Sequence, residues 1–262
     1  MKRLAVILAL AMMLVGCQLP QAAVQPQIQE IPSSPYYPED FVLVGDYLQC
    51  TKGNTVVGID VSSYQGQIDW KLVAASGVEF VFVRLGYRGY ESGTLHEDAY
   101  ARVNLAAARI AGLRVGAYFF SQAVSVEEAR EEAAYALEIL DGFRLDLPLG
   151  FDWEYVSEDA RTGDVDPRVL TDATIAFCEK VKAAGYGAMV YFNTSQAQLR
   201  LELEELGAYP WWLAKYNMAS EFICQVDLWQ YTDQGSVPGI QGNVDIDLMF
   251  TDYGLGKEVF GK

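Results

Sequence analysis

The 262-residue sequence has one histidine, His96, and four cysteines. No Cys-x-x-Cys pair or Cys/His cluster occurs, which argues against a zinc site. Positive charge is also scarce, with 19 Lys and Arg against 35 Asp and Glu and a formal net charge of −16. The positives are scattered, so a nucleic-acid partner is not expected, because phosphate neutralisation needs clustered Lys and Arg. No glycine-rich loop with a Lys or Arg clamp is available to hold a phosphate. The apolar run LAVILALAMMLV (4–15) falls short of the roughly 20 residues that a spanning helix requires. What remains is an acidic, aromatic-rich chain, 51% hydrophobic, long enough to bury a sizeable core.

The N-terminus reads as a targeting segment rather than as part of the fold. Lys2 and Arg3 precede the apolar run, and LVGC follows at 14–17. The pattern resembles a bacterial lipoprotein signal with its lipobox. By that resemblance residues 1–16 are a signal peptide, and Cys17 becomes a lipidated N-terminus anchored in a membrane. A diacylglyceryl group would supply the two acyl chains that stable anchoring takes. An ordinary secretory signal or a single membrane span are the alternatives. Residues 17–54 are Pro- and Gln-rich at their start (QLPQAAVQPQIQEIPSSPYYPED, 18–40) and read as an extended tether. Cys50, Cys178 and Cys224 are left. Cys178 lies in an apolar helix stripe and is expected to be buried; a disulfide among the three stays open.

From residue 55 to 262 the chain reads as one domain. Strand-like runs occur at 56–61, 79–86, 113–121, 147–154, 186–193, 210–216, 223–231 and 243–250. Amphipathic stretches lie between most of them: 97–112, 126–142 and 167–185, ending at Gly112, Gly142 and Gly185. Eight strands with helices between them predict an α/β fold, an irregular TIM-like barrel of parallel β/α units. The last helices are short or absent. A doubly wound open sheet is the competing architecture.

The alternation within three strands carries the functional signal, because residues two apart share a face. In FDWEY (151–155), Phe151, Trp153 and Tyr155 oppose Asp152 and Glu154. In the first strand Val57, Ile59 and Val61 oppose Asp60; in the last, Val244, Ile246 and Leu248 oppose Asp245 and Asp247. In a barrel the apolar faces pack outward and the acids point to the axis. First and last strands are neighbours there, which brings Asp60 beside Asp245. A single acid at a strand end is ordinarily a cap or a solvated residue. A converging set costs stability through repulsion and burial, and so points to function. Paired carboxylates suit glycoside hydrolysis, and Glu154, longer and flanked by aromatics, is the better acid of the pair. An acidic quartet holding Mg²⁺ for phosphoryl chemistry is an alternative. Tyr118 and Tyr191 share inward parity and are candidate sugar contacts, with Trp212 and Trp229 behind them. His96 is expected on a surface loop.

Several stretches together resemble family 25 glycoside hydrolases, the Chalaropsis-type lysozymes: GIDVSSYQGQIDW (58–70), FVRLGYRGY (82–90), GAYFFS (116–121), DWE (152–154), YFN (191–193), WLAKY (212–216) and LWQYTDQGSVPGIQGNVDIDLMF (228–250). The resemblance implies an irregular β/α barrel that cleaves the β-1,4 bond between N-acetylmuramic acid and N-acetylglucosamine in peptidoglycan. It implies Glu154 as general acid and Asp152 as the residue that orients or stabilises the substrate's acetamide. Asp60 and Asp245 become further pocket carboxylates, and Tyr118 and Tyr191 lie near the sugar. Two departures stand out. RLGYRG keeps a positive charge, Arg84, where many members have a Lys-x-Ser/Thr-Glu-Gly run, but the acid is missing. Asp247 stands where Asn is common and is expected to add negative charge at the binding site. No metal or organic cofactor is implied. The expectation is an extracytoplasmic, lipid-anchored muramidase, monomeric, with peptidoglycan strands as its partner. A non-catalytic peptidoglycan-binding lipoprotein, or a barrel glycosidase for chitin or another β-linked glycan, are the rival readings.

Overall fold

The computed structural model describes residues 30–216 and 224–260. The signal peptide and Cys17 lie outside the described residues. Eight strands close into a barrel in the order β3 (Thr55–Val61), β4 (Phe80–Arg88), β6 (Arg114–Ser121), β7 (Leu149–Trp153), β8 (Ala188–Asn193), β9 (Trp211–Ala214), β10 (Leu228–Gly235) and β11 (Val244–Phe250), with β11 pairing back onto β3. The short strand β5 (Leu95–Glu97) pairs with the end of β4 and carries His96, exposed and stacked on Tyr87.

Helices α1 (Trp70–Ala75), α2 (Ala101–Ile110), α3 (Val126–Leu140), α4 (Pro167–Ala183) and α5 (Thr194–Leu199) connect the parallel strands. Their starts follow local chemistry. The Ser125 hydroxyl accepts from Glu128 N at 3.2 Å, and Asp166 caps α4 with Pro167 in its first turn. Gly112 and Gly185 follow α2 and α4 with φ of 93° and 88°, the left-handed geometry that ends a helix without a Cβ penalty. Glu97 belongs to β5, so the helix expected from 97 begins at Ala101.

The expectation of an all-parallel barrel needs one correction. β11 runs antiparallel to both β10 and β3. Residues 236–243, the whole connection from β10, are too few for the crossover a parallel neighbour demands. That leaves no helix between β10 and β11. The tether reading of 17–54 also needs correction in its second half. Residues 41–50 are not tether but a hairpin, β1 (Phe41–Val44) and β2 (Tyr47–Cys50), laid on the barrel. Phe41 meets Trp229 edge-on at 4.9 Å, Tyr36 stacks on Phe250 at 5.0 Å, and Tyr47 bonds Ser76 at 2.9 Å. Tyr36, Phe41, Tyr47 and Leu48 are all buried in the main core.

That core lies between barrel and helices, where the outward residues sit: Ile59, Val83, Val115 and Phe119, with Phe151 against Phe177 of α4 at 4.8 Å. A second cluster fills the barrel itself with Phe80, Phe82, Met189, Trp212, Leu228 and Met249. Gly58 and Gly116 make room for it. A Cβ at Gly58 would come within 2.1 Å of the Phe80 ring, and one at Gly116 within 2.5 Å of Phe82. The interior is therefore packed from below, and only its upper end is left open and polar. Cys178 is buried as expected; Cys50, Cys178 and Cys224 are all free thiols.

Candidate active site

The open end of the barrel holds a cavity of about 210 Å³. Asp60, Asp152, Glu154 and Asp245 all line it, with Tyr118, Tyr191, Trp212 and Arg84. Strand register explains the convergence. Asp245 on β11 is the direct partner of Asp60 on β3, and Asp152 on β7 is the partner of Tyr191 on β8. Glu154 lies just beyond the end of β7, half-buried, where its longer side chain reaches the same space. A wider cleft of about 1130 Å³ lies between α1 and α2, with Asp69 as its single acid. A cleft of about 730 Å³ shares Tyr64, Arg84 and Phe120 with the acid pocket and extends it along the surface.

Each acid has a defined environment. Gln230 Nε2 donates to Asp60 Oδ2 at 2.6 Å, while its Oε1 accepts from Tyr216 at 2.7 Å and from Tyr191 at 3.3 Å. The Glu154 carboxyl lies within hydrogen-bonding reach of the Tyr191 hydroxyl. The Glu154 backbone carbonyl accepts from Gln122 Nε2 at 2.6 Å, and the preceding carbonyl, of Trp153, accepts from Gln196 Nε2. The general-acid candidate is thus held by its backbone and leaves its carboxyl to the cavity. Asp152 Oδ1 is buried and accepts from no donor among the described residues.

Burial pushes every one of these carboxyls above the usual range, and their neighbours push further. Asp60 is raised by burial, then by Asp245 and Asp247; Asp152 by burial, then by Glu154, with Arg84 pulling the other way. Burial raises Glu154, and the Tyr191 bond opposes it. Asp245 is pushed up to about 6, again chiefly by burial. Such a set holds its protons more tightly than carboxyls in water, and mutual repulsion sets the groups apart as proton holders and proton donors. That is the condition for one group to protonate a leaving oxygen and another to stabilise positive charge. Among the described residues no group of three or more His, Cys, Asp or Glu is arranged to hold a metal ion.

Two expected contacts do not reach the cavity. Trp229 faces outward, its indole N–H donating to Lys215 O at 2.8 Å and its ring against Phe41. The inward residues of β10 are Leu228 and Gln230, so the alternation puts Trp229 on the other face. Asp247 has inward parity but lies below the cavity, fully buried, accepting from Trp212 Nε1 at 2.8 Å. It is a floor residue and not a surface that sugar can touch. Trp212 forms that floor, edge-on to both Tyr118 and Tyr191 at 5.9 and 5.2 Å.

The acid missing beside Arg84 is supplied from elsewhere. Asp98, after β5, bonds Arg84 at 2.8 Å and Ser63 N at 3.0 Å. Asp98, Gln122, Gln196, Tyr216 and Gln230 are the site residues that the sequence reading passed over. Gln230 alone had a usable signal, its inward parity one residue after Trp229. Tyr64 stands at the rim, 86% exposed, with the Arg84 guanidinium 5.1 Å from its ring.

Comparison with known proteins agrees with this geometry. Residues 59–240, more than half of the chain, match the model of Glycosyl hydrolases family 25. The Escherichia coli K12 protein YegX is 31% identical over 206 residues, covering 74% of this chain and 69% of its own. An autolytic lysozyme of Clostridium acetobutylicum is 28% identical over 191 residues, 72% of this chain and 54% of its own. Among solved structures, the modular autolysin LytC of Streptococcus pneumoniae, in complex with a synthetic peptidoglycan ligand, superposes with a TM-score of 0.65 at 29% identity. That match covers 75% of this chain, which spans about half of the autolysin, 47%. A barrel with its acids on the first, middle and last strands, and a family match that runs from β3 past the end of β10, leave one assignment: this chain belongs to family 25 of the glycosyl hydrolases.

Proposed function

We propose that the protein is a peptidoglycan hydrolase, an N-acetylmuramidase that cleaves the β-1,4 bond between N-acetylmuramic acid and N-acetylglucosamine. The observation that carries this reading is the meeting of Asp60, Asp152, Glu154 and Asp245 in one cavity beside exposed aromatic rims. Glu154 protonates the glycosidic oxygen and then, ionised, activates the incoming water. Asp152 orients the acetamide of the substrate, whose oxygen attacks the anomeric carbon in place of an enzyme nucleophile. Its carboxyl lines the cavity, and its Oδ1 accepts from no donor among the described residues. Asp60 and Asp245 supply negative charge near the developing oxocarbenium ion. Tyr118, Tyr191 and Trp212 shape the wall on which the sugar rests, and Arg84, held by Asp98, carries the one positive charge on that wall.

The same reading places the enzyme outside the cytoplasm, held to a membrane by lipid on Cys17. No helix among the described residues is long and apolar enough to cross a membrane. The chain enters the fold at the end of the barrel opposite the acids: Pro32 O accepts from Gln225 N ahead of β10, and Tyr36 packs on Phe250 at the end of β11. Digestion of purified peptidoglycan with fragment identification tests the activity. New reducing ends at muramic acid are expected; reducing ends at glucosamine, or retention on the wall without fragments, would replace the muramidase by another glycosidase or by a binding protein. Palmitate labelling that Cys17→Ser fails to abolish would remove the lipid anchor.

A further inference from the structure

Asp247 lies on the same face of β11 as Asp245, two residues nearer the barrel floor, and is completely enclosed. One of its oxygens, Oδ1, accepts from Trp212 Nε1 at 2.8 Å. The other, Oδ2, accepts from no N–H or O–H among the described residues. The Asp247 carboxyl is also within hydrogen-bonding reach of the Asp60 carboxyl. Asp60 in turn commits Oδ2 to Gln230 Nε2 at 2.6 Å. Asp247 thus has one oxygen tied to a neutral donor and a second with none, while Asp60, tied to Gln230, is within hydrogen-bonding reach of both Asp247 and Asp245. Two carboxylates in contact, away from water, repel strongly, whereas one carboxyl and one carboxylate make a short charge-assisted bond.

Among the residues that line the pocket, the one cation is already engaged. Asp245 faces the pair from its own strand, Asp152 and Glu154 from the end of β7, and Tyr118 and Tyr191 from β6 and β8. Asp233, near the end of β10, adds a further negative charge felt by Asp245, and Tyr216 beyond β9 is neutral. Arg84 on β4 is the cation of the pocket wall, and its guanidinium is already paired with Asp98 at 2.8 Å. Burial, followed by the charge of Asp245, drives the carboxyls of both Asp60 and Asp247 well above the ordinary range.

We infer that Asp60 and Asp247 share one proton, donated from Asp247 to Asp60, and that Asp247 is thereby a positioning residue that fixes the pocket carboxylate Asp60 and the Trp212 floor. With the proton in place, Asp247 clamps the Trp212 indole through one oxygen and Asp60 through the other. Without it, the two acids part and the floor loses its brace. An amide at this position would provide the same pattern permanently, the carbonyl accepting from Trp212 and the NH₂ donating to Asp60. Asp247→Asn with Asp60 ionised carries the same net charge as the proton-sharing pair, so it tests the proton without changing the field on Glu154.

The experiment compares the full-length wild type, Asp247→Asn and Asp247→Leu. In the infrared difference between wild type and Asp247→Asn at neutral pH, a protonated-carboxyl band is expected that disappears at alkaline pH. In thermal melts Asp247→Asn is expected to exceed the wild type at about pH 8, by roughly 3 °C or more, and to converge with it near pH 4. The sign follows from linkage: a pair whose folded pKa is raised is fully stabilising below the unfolded value and loses that stability as pH rises through the folded one. These two readouts are independent of substrate. The third, which rests on the muramidase reading, is peptidoglycan turnover, where Asp247→Asn is expected to exceed Asp247→Leu by at least about tenfold. Absence of the infrared band, or an Asp247→Asn protein that melts below the wild type at pH 8, would overturn the shared proton. Equal turnover by the Asn and Leu variants would overturn the positioning role.

Discussion

Replacing Glu154 by Gln separates chemistry from architecture at the residue on which the proposed reaction turns. The amide is isosteric with the protonated acid, so Tyr191 keeps an acceptor. The backbone at this point is fixed independently, by Gln122 to the Glu154 carbonyl at 2.6 Å and by Gln196 to the Trp153 carbonyl. Position is therefore retained and only the transferable proton is lost. General acid catalysis is typically worth about 10²–10⁴ in rate, roughly 3–5 kcal/mol of barrier. Stability should move the other way. Burial raises the Glu154 pKa in the folded protein, so the wild type is fully stable below the unfolded value and loses stability as pH rises through the folded one. Gln does not titrate and escapes that loss. The variant should melt above the wild type at about pH 7 and match it near pH 4. Reducing ends released from purified peptidoglycan, co-sedimentation with the wall and a melt at the two pH values measure all three properties. A variant that keeps activity within about tenfold of the wild type refutes the general-acid assignment. One that loses activity and melts lower at neutral pH shows a structural role instead.

Much of the fold could be read from the sequence because strand parity is a local property. The acids of β3, β7 and β11 stand among Val, Ile and Phe at every second residue, and that pattern put Asp60, Asp152 and Asp245 on one face before any coordinates. Parity does not know direction, however, and a strand alternates identically whether parallel or antiparallel. Only the short connection at 236–243 betrays that β11 is reversed. Nor does parity know depth, which is why Asp247, on the correct face, was taken for a sugar contact when it lies beneath the floor. Trp229 shows the opposite lapse: aromatic character outweighed a parity that assigned it to the outer core. The Arg84 partner was hidden for another reason. Asp98 is fourteen residues away along the chain, in a segment read as helix, and only the β4–β5 pairing brings it back. The hairpin at 41–50 did carry a signal, since Gly45 and Asp46 between two apolar runs make a two-residue turn, with Gly45 at φ 63°. Proline-rich flanks concealed it.

The remaining expectations follow from the same contacts. Asp152→Asn should reduce kcat severely with a smaller change in KM; a defect confined to KM would mean that Asp152 binds sugar without assisting the acetamide. Arg88→Met should destabilise by about 3–5 kcal/mol, because it strands the fully buried Glu132 now bonded to Arg88 Nε at 2.7 Å. Burial pushes Glu132 up to about 7 even with Arg88 beside it, and without Arg88 its carboxyl takes up a proton at higher pH still, so the variant's deficit should grow as pH rises above 7 and shrink toward pH 5; a pH-independent deficit in melting would disprove the stranded charge. The hairpin gives the sharpest test of where the domain begins. Phe41 is 7% exposed, set edge-on to Trp229 at 4.9 Å and to Phe250 at 6.1 Å. Truncating such a ring costs about 3–5 kcal/mol, against about half a kcal/mol for a residue in a solvated tether. For a domain of this size that is a fall in melting temperature of roughly 6–20 °C. Phe41 lies outside the barrel and does not line the acid cavity, so peptidoglycan turnover at low temperature should remain near that of the wild type. A Phe41→Ala protein that melts like the wild type would return residues 41–50 to the tether.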